Sequence, residues 1–400
     1  MNEKKEDNKK AIKTLIVICV YNHANTLRNV VLKSIEQGLE VLIVDDGSTD
    51  NPYEQIKDLK CYYLRHKKNK GKGAAILTAA NWAGQKGFDA IVTIDADGQM
   101  DPSYTKIFIE IASNNWPCIV VGNRILDPEI VPTSSIIGRS ISNFWIRLEC
   151  GLEAIDTQSG FRLYPVFIFK ELRFLSPRYE FEIEVITKSV WAGLDIIGVP
   201  IEVYYPPKNE RISHFNKIKD NLRITLLHTY LILRALAPWP YKKLIQKKKN
   251  KLDKISIWHP IKLLNRLCKE HASPFLLSVA VWIGFFMGAL PLIACHTIAI
   301  IYVTHKLHLN KIAAVAASQF CSPPIVPILC IEVGHFIRFK KFLINLTWNT
   351  AIVQAPQRIW EWFLGSLVVG PILGIIGASI TYFSIKWIRT KKKQQLTIKT

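Results

Sequence analysis

The chain has 400 residues, room for two or three domains, and sets 52 Lys plus Arg against 32 Asp plus Glu, a formal charge of +20. Such an excess suits an anionic partner. No zinc-finger or RNA-recognition signature accompanies it, and the basic clusters border long apolar stretches, so we expect a membrane surface and no nucleic acid. The eight cysteines form no C-x-x-C pair and several lie in apolar runs, which predicts buried, reduced thiols in a chain facing the cytosol. Residues 1–12 are a polar tail, and the apolar run 15–20 is too short for a secretory leader.

In chain order, residues 14–20 (TLIVICV) predict a buried strand. Residues 25–37 follow with helical spacing, Leu27, Val30, Val31 and Ser34/Ile35 sharing one face, and Gly38 stops them. Residues 40–47 (EVLIVDDG) predict a second strand, 73–87 a helix, 89–98 (DAIVTIDADG) a third strand and 118–124 (CIVVGNR) a fourth. Strands alternating with helices predict an α/β fold with a mostly parallel sheet, whose ligands bind at the carboxyl ends of the strands. Each predicted strand ends in a polar cluster: Tyr21-Asn22, Asp45-Asp46-Gly47-Ser48, Asp95-Ala96-Asp97 and Gly122-Asn123-Arg124. Four such endings on one sheet edge converge on one site.

Like charges at the end of a buried strand, as in "TIDADGQM" (93–100), repel each other and resist desolvation. A bound Mg²⁺ or Mn²⁺ reverses that cost, since both take hard oxygen ligands. A solvated turn is the plain alternative. Asp45 and Asp46 could accept from the ribose or base of a nucleotide, and a metal with Arg124 could neutralise a diphosphate. "HKKNKGKGAAI" (66–76) sets Lys70 and Lys72 between glycines at a helix start, either an anion-binding loop or a solvated surface loop. No Walker or dinucleotide fingerprint occurs.

Beyond residue 215 the chain changes character. Residues 215–237 predict a basic amphipathic helix suited to a membrane surface, ended by Pro238 and Pro240. A Lys-rich linker follows, with ten Lys or Arg against two acids between Tyr241 and Glu270. Stretches 274–303, 312–331 and 362–385 hold no charged residue and are long enough to span a bilayer. Gly284, Gly288 and Pro291 are expected to break the first stretch, and Pro323, Pro324 and Pro327 the second. His296 and Glu332 are ionisable groups inside this apolar region, candidates for function or for ordinary helix-end roles.

Seven segments, "VICVYNHANTL", "VDDGSTD", "NKGKGAAI", "DADGQMDP", "VGNR", "DTQSGFRLY" and "RYEFEIEV", resemble in order those of a family 2 glycosyltransferase. Within that family they are similar to the branch of dolichyl-phosphate mannose synthases and polyprenyl-phosphate glycosyltransferases. The resemblance implies a GT-A fold, a nucleotide-diphosphate sugar donor, a divalent metal (Mg²⁺ or Mn²⁺), a lipid acceptor such as polyprenyl phosphate, and inversion. It implies donor contacts from Tyr21, Asn22, Asp45, Asp46, Lys72, Asp95 and Arg124, with Arg211 and Ser213 of "ERISHF" in a closing loop. Asp95, Asp97 and Gln99 would hold the metal. Asp97, Asp156, Arg162 and Glu182 would be catalytic, and Arg139, Glu180 and His214 would meet the acceptor. If the acceptor were a hydroxyl, Asp156 would be the first candidate for its base. His23-Ala24-Asn25 and Met100 depart from the usual pattern and bear on donor specificity.

Residues 273–334 resemble a bacterial membrane module, domain of unknown function 2062, through "ASPFLLSVAVWIGFFMGALP", "LNKIAAVAASQFCSPP" and "EVGHF". The expected organisation is a tail (1–12), a GT-A domain (13–215), an amphipathic helix and basic linker (216–272), a helical membrane module (273–389) and a basic tail (390–400). We expect a multi-pass protein of the cell inner membrane with its catalytic domain cytoplasmic. A scaffold or lipid-handling protein with a non-catalytic sugar-nucleotide domain is the alternative. A processive polysaccharide synthase is disfavoured because no Q-x-x-R-W segment follows the catalytic domain.

Overall fold

In the computed structural model, residues 11–125, 133–153, 155–205, 216, 218–246, 273–292, 295–321, 325–343 and 358–397 are described. Two compact units divide at residue 248, Met1–Lys248 and Lys249–Thr400.

The first unit is built on a seven-stranded sheet in the order β3-β2-β1-β4-β6-β5-β7. The strands are β1 (Thr14–Val20), β2 (Glu40–Asp45), β3 (Tyr62–Arg65), β4 (Ala90–Asp95), β5 (Cys118–Arg124), β6 (Arg162–Pro165) and β7 (Asp195–Ile201). Residues 14–20 are apolar throughout because both faces of β1 are covered. Ile16, Ile18 and Val20 pack under α1 (Ala24–Ile35) and α3 (Tyr104–Asn115), while Leu15 and Val17 pack under α2 (Lys72–Gln85), α4 (Thr133–Cys150) and α6 (Phe181–Trp191). The predicted face of α1 is buried: Leu27, Val30, Val31 and Ser34. A short α5 (Phe167–Glu171) follows β6.

Register brings the predicted strand ends together. Val20 lies opposite Asp45, and Cys19 lies between Val44 and Asp95. The sheet is mostly parallel, as expected, with one antiparallel strand. β6 runs antiparallel between β4 and β5, pairing Arg162 with Thr93 and with Val121. Because it runs backwards, its first residue reaches the edge where its neighbours end, and the 156–162 segment is delivered to the same place as the acidic motif.

α7 (Lys219–Leu236) falls inside the predicted amphipathic segment. It buries Leu227, His228, Leu231 and Ala235, and His228 Nδ1 lies 2.6 Å from the buried Glu149 Oε1 of α4. Its opposite face is itself apolar and exposed: Ile218, Leu222, Leu226 and Leu233, at 59–82% of their full area.

The second unit is helical: α8 (Pro274–Ala289), α9 (His296–Lys306), α10 (Lys311–Gln319), α11 (Ile325–Phe339) and α12 (Ile359–Thr397). Among the described residues only α12 is long and apolar enough to cross a membrane, over Ile359–Trp387. The expected long spans 274–303 and 312–331 are each two shorter helices. The first breaks beside Pro291, as anticipated, whereas Gly284 and Gly288 remain inside α8. Their role is contact: a Cβ on Gly284 would strike the Ala314 carbonyl, and one on Gly288 would lie 3.0 Å from Ser318 Cα. The helices α11 and α12 cross just as closely, Gly334 against the Glu361 carbonyl and Gly365 against that of Cys330. His296 bonds to the neighbouring Thr297 hydroxyl, and Glu332, in the middle of α11 rather than at its end, accepts from the Leu343 N–H at 3.0 Å. Among the described residues the cysteines are free thiols; Cys118, Cys150, Cys321 and Cys330 are buried as expected, whereas Cys19 and Cys61 are half-buried and Cys295 is exposed.

Candidate active site at the strand ends

The site grows from the 45–72 segment. Asp45 is fully buried. It accepts from the Ser48 N–H (2.8 Å) and the Tyr63 hydroxyl (2.7 Å), with Arg65 Nε at 3.3 Å. Asp46 points the other way, as the next residue must at a strand end. It accepts from the N–H groups of Lys70 (2.9 Å) and Gly71 (2.7 Å), and pairs with His66 Nδ1 (2.7 Å). Both aspartates were expected to hold the nucleotide. Instead their oxygens are taken by the protein, and they shape the loop that begins α2. Asn22 does similar work from β1: in a left-handed conformation (φ 54°), it accepts from the Thr49 N–H while its own N–H donates to Ser48.

That loop aims Lys72. Gly71 leads into α2 with φ 104°, open to glycine, where a Cβ would also press on Pro177 and Arg178. Lys72, the first helical residue, is not on an open loop. Its ammonium lies 2.6 Å from Asp95 Oδ1 and 2.7 Å from Glu182 Oε1. Burial opposes its charge, but the two carboxylates outweigh that and keep it protonated well above the ordinary lysine range. Gly160 makes the pair possible, because a Cβ there would collide with both Asp95 Oδ2 and Lys72 Nζ. Three separate motifs, "NKGKG", "DADGQ" and "TQSGF", thus close on one another.

Asp97 lies next along the edge. Burial and then the Asp95 charge push its carboxyl up to about 6, against one opposing bond from the Gln99 N–H (3.0 Å). Two crowded carboxylates, one driven toward protonation, form a place where a divalent cation would relieve the repulsion. With the Gln99 amide, and with waters and donor phosphates completing the shell, this oxygen set fits Mg²⁺ or Mn²⁺. Among the described residues no group of three His, Cys, Asp or Glu side chains stands ready to hold a metal alone. A cleft of about 420 Å³ opens beside Gln99, between Lys33, Met100, Tyr104 and Tyr204, but its lining excludes Asp95, Asp97 and Asp156.

On the other side of the edge, Asp156 is fully buried. Arg124 grips it through Nε (2.7 Å) and Nη2 (3.1 Å). Arg139 donates to the Arg124 carbonyl (2.8 Å) and stands 3.7 Å from the same carboxylate. Burial would raise the Asp156 carboxyl, yet the Arg124 hydrogen bonds and charge hold it below the ordinary value. An acid so held is a poor proton acceptor, which weighs against the base expected of Asp156 for a hydroxyl acceptor. Asn123, part of the expected strand-end cluster but given no individual role there, accepts from the Asp156 N–H (2.8 Å).

Arg162 is engaged by the protein as well. It was expected to line the reaction centre, but it is fully buried and donates to the carbonyls of Ser159 (2.6 Å), Glu182 (2.7 Å) and Thr157 (2.8 Å). Its side chain binds β6, the 157–159 turn and α6 together. Glu182 contacts Lys72, and Glu180, at the start of α6, is buried with one oxygen lacking a hydrogen-bond partner among the described residues. Arg211, Ser213 and His214 lie outside the described residues.

Paired acids, a buried lysine and two arginines thus lie together at the carboxyl edge of the sheet. Residues 15–173 match glycosyl transferase family 2, and residues 261–394 match an uncharacterized bacterial family, domain of unknown function 2062. The chain is 31% identical over 213 residues to UDP-N-acetylglucosamine–dolichyl-phosphate N-acetylglucosaminyltransferase of Methanococcus voltae, covering 48% of this chain and 85% of that protein. It is 25% identical over 203 residues to polyprenol monophosphomannose synthase of Mycolicibacterium smegmatis (47% and 76% covered). It is 24% identical over 202 residues to undecaprenyl-phosphate mannosyltransferase of Micrococcus luteus (48% and 83%). The chain belongs to glycosyl transferase family 2, with a C-terminal unit of the second family.

Proposed function

We propose that this chain is an inverting, metal-assisted hexosyltransferase of GT-A fold, moving a sugar from a nucleotide-diphosphate donor to polyprenyl phosphate at the cytoplasmic face of the inner membrane. The observation that carries the choice of acceptor is the Arg124–Asp156–Arg139 group. A hydroxyl acceptor needs a base, and Asp156 is committed to Arg124. A lipid phosphate is already anionic at neutral pH and needs charge and aim instead, which two guanidiniums around one carboxylate offer. The names of the relatives, two of which specify dolichyl or undecaprenyl phosphate, support the same acceptor class.

In this account an acceptor phosphate oxygen attacks the anomeric carbon. The bond from that carbon to the donor diphosphate breaks, and nucleoside diphosphate leaves with the bonding electrons. Asp95, Asp97 and Gln99 would hold Mg²⁺ or Mn²⁺, which when bound supplies positive charge to the leaving diphosphate. Lys72 keeps Asp95 oriented and adds a fixed cation at the same edge. Arg124 and Arg139 aim the acceptor phosphate. Tyr21, Asn22, Arg211, Ser213 and His214 complete the donor and acceptor contacts, and Glu180 and Glu182 form the floor beneath the acceptor.

The exposed stripe of α7 supports membrane docking. Ile218, Leu222, Leu226 and Leu233 would enter the interface while Lys219 and Arg223 meet anionic head groups. The chain would be multi-pass, with α12 as one crossing. The test uses purified full-length protein in detergent with Mg²⁺ or Mn²⁺, a panel of nucleotide sugars, and short-chain polyprenyl phosphate present or absent. Nucleoside diphosphate release that depends on the acceptor and disappears in Asp97→Asn is expected. Donor binding without lipid-linked product across the panel would refute the proposal in favour of a non-catalytic scaffold.

A further inference from the structure

A buried polar pair between α4 and α7 takes no part in the chemistry above, yet it joins the two features on which a lipid acceptor depends. α4 brings Arg139 to the acceptor end of the site, and α7 carries the exposed apolar stripe. The middle of α4 is held to the site. Arg139 donates to the Arg124 carbonyl (2.8 Å), and the Thr157 hydroxyl meets Ser142 Oγ at 2.8 Å and Asn143 Oδ1 at 3.1 Å. The last turn of α4 is held to α7 instead. Glu149, 1% exposed, takes His228 Nδ1 on one carboxylate oxygen (2.6 Å) and the Thr187 hydroxyl of α6 on the other (3.1 Å).

The rest of the α7 contact is apolar. Leu227, Leu231 and Ala235 pack in the same cluster as Ile146 and Cys150 of α4, and apolar faces hold a register only loosely. Asp220, the other buried polar residue of α7, is taken up at its own helix end by the Asn216 N–H (2.7 Å) and Arg223 (2.9 Å). His228 reaches across. Its Nε2 is buried with no hydrogen-bond partner among the described residues, so the polar tie of the ring runs through Nδ1 to Glu149. The Trp145 ring stacks on the imidazole, 5.9 Å between centres. A slip of one residue along α7 is a shift of about 1.5 Å. It would break the bond and leave a carboxylate and an imidazole unpaired among apolar side chains, which costs more than the bond itself contributes. The pair therefore admits one register.

We propose that Glu149 and His228 are positioning residues for the lipid acceptor: their hydrogen bond fixes the height of the membrane-facing stripe of α7 against Arg139 and Arg124, so that a phosphate at head-group level meets both guanidiniums. The role rests on the polyprenyl phosphate acceptor proposed above and extends it to residues that touch neither substrate.

The test uses full-length protein reconstituted into phosphatidylglycerol vesicles with a nucleotide sugar and two acceptors. One is undecaprenyl phosphate embedded in the bilayer, and the other is a short-chain prenyl phosphate that stays in solution. In Glu149→Met/His228→Leu, apolar groups of similar volume replace the pair, which should leave Tm little changed while freeing the register. kcat/KM for the embedded acceptor should fall by about tenfold or more, as a misplacement of about 1 Å can cost. kcat/KM for the soluble acceptor and KM for the donor should stay near those of the parent. Glu149→Gln, whose amide still bonds the imidazole, should keep transfer to both acceptors. Equal loss with both acceptors would mark a purely structural role and overturn the proposal, as would no loss with either. Should the double variant not fold, Glu149→Gln/His228→Met, in which the amide keeps the Thr187 bond, gives the same comparison. A parent that transfers to neither acceptor would refute the acceptor class and this role together. A parent that transfers to both, with variants that do not separate them, refutes the role alone.

Discussion

Arg162→Met separates a positioning arginine from one that touches substrate. Methionine keeps much of the volume and removes the guanidinium. Three buried carbonyls, those of Thr157, Ser159 and Glu182, then lose their donor, and Glu182 loses a cation 3.9 Å away. Three charge-assisted bonds at about 1.5–3 kcal/mol each set an upper bound. The bonds share one side chain, and removing them also spares the cost of burying its charge, so breaking the network should cost about 3–5 kcal/mol. For a unit of this size, each kcal/mol moves Tm by about 2–4 °C, so a drop of about 6–20 °C is expected. The assay is thermal unfolding of the full-length protein, followed by near-UV circular dichroism, beside transfer activity measured well below the new Tm. Residual activity should track the folded fraction. A variant as stable as the parent but without transfer would refute the scaffold role and return Arg162 to the reaction centre.

Gly160→Ala should lower transfer by about tenfold or more with the fold retained, because the added methyl displaces Lys72 from Asp95; kcat and circular dichroism check it. The Asp156 carboxyl lies below the ordinary value of 3.8, so its contribution to stability is present above that pH and is lost as pH falls through the lowered value. Unfolding midpoints taken from pH 5 downward should therefore fall more steeply for the parent than for Asp156→Asn. Burial pushes the Cys19 thiol up to about 12, so iodoacetamide at pH 8 should leave it unmodified in the folded protein and label it once unfolded; peptide mass mapping reads this. Leu222→Asp with Leu226→Asp should reduce binding of a soluble 1–246 fragment to anionic vesicles without changing its Tm, since both side chains are exposed. Flotation measures the first effect and thermal unfolding the second.

The parts of the first unit that were legible are those with a strong local signal. Residues 14–20 and 118–124 match β1 and β5, because a strand covered on both faces is apolar without interruption. β3 and β6 carry no such signal, having four residues each and, in β6, an arginine buried by distant carbonyls. The convergence of strand ends was legible, but the duties of individual residues were not. Asp45 and Asp46 read alike in sequence, yet their partners Tyr63, Arg65 and His66 come from a strand and loop about 20 residues on. Lys72 could be placed at a helix start from its glycines. Its two carboxylates belong to motifs 23 and 110 positions away, and only the sheet brings them within reach. In the second unit composition marked the apolar stretches and Pro291 the break between α8 and α9, while the close contacts of Gly284 and Gly288 with α10 were not legible.

The crossing of α11 and α12 fixes more than packing. Gly334 and Gly365 let two backbones meet with nothing between them, and Glu361 and His335 sit at that meeting point. The spacing between Arg338, on one helix, and Arg358, beside the start of the other, is thus set by a joint with no side chain to act as a cushion. A single methyl there would work as a shim. It would open the angle between the two rods and swing the guanidiniums apart, farther at the helix ends than at the pivot.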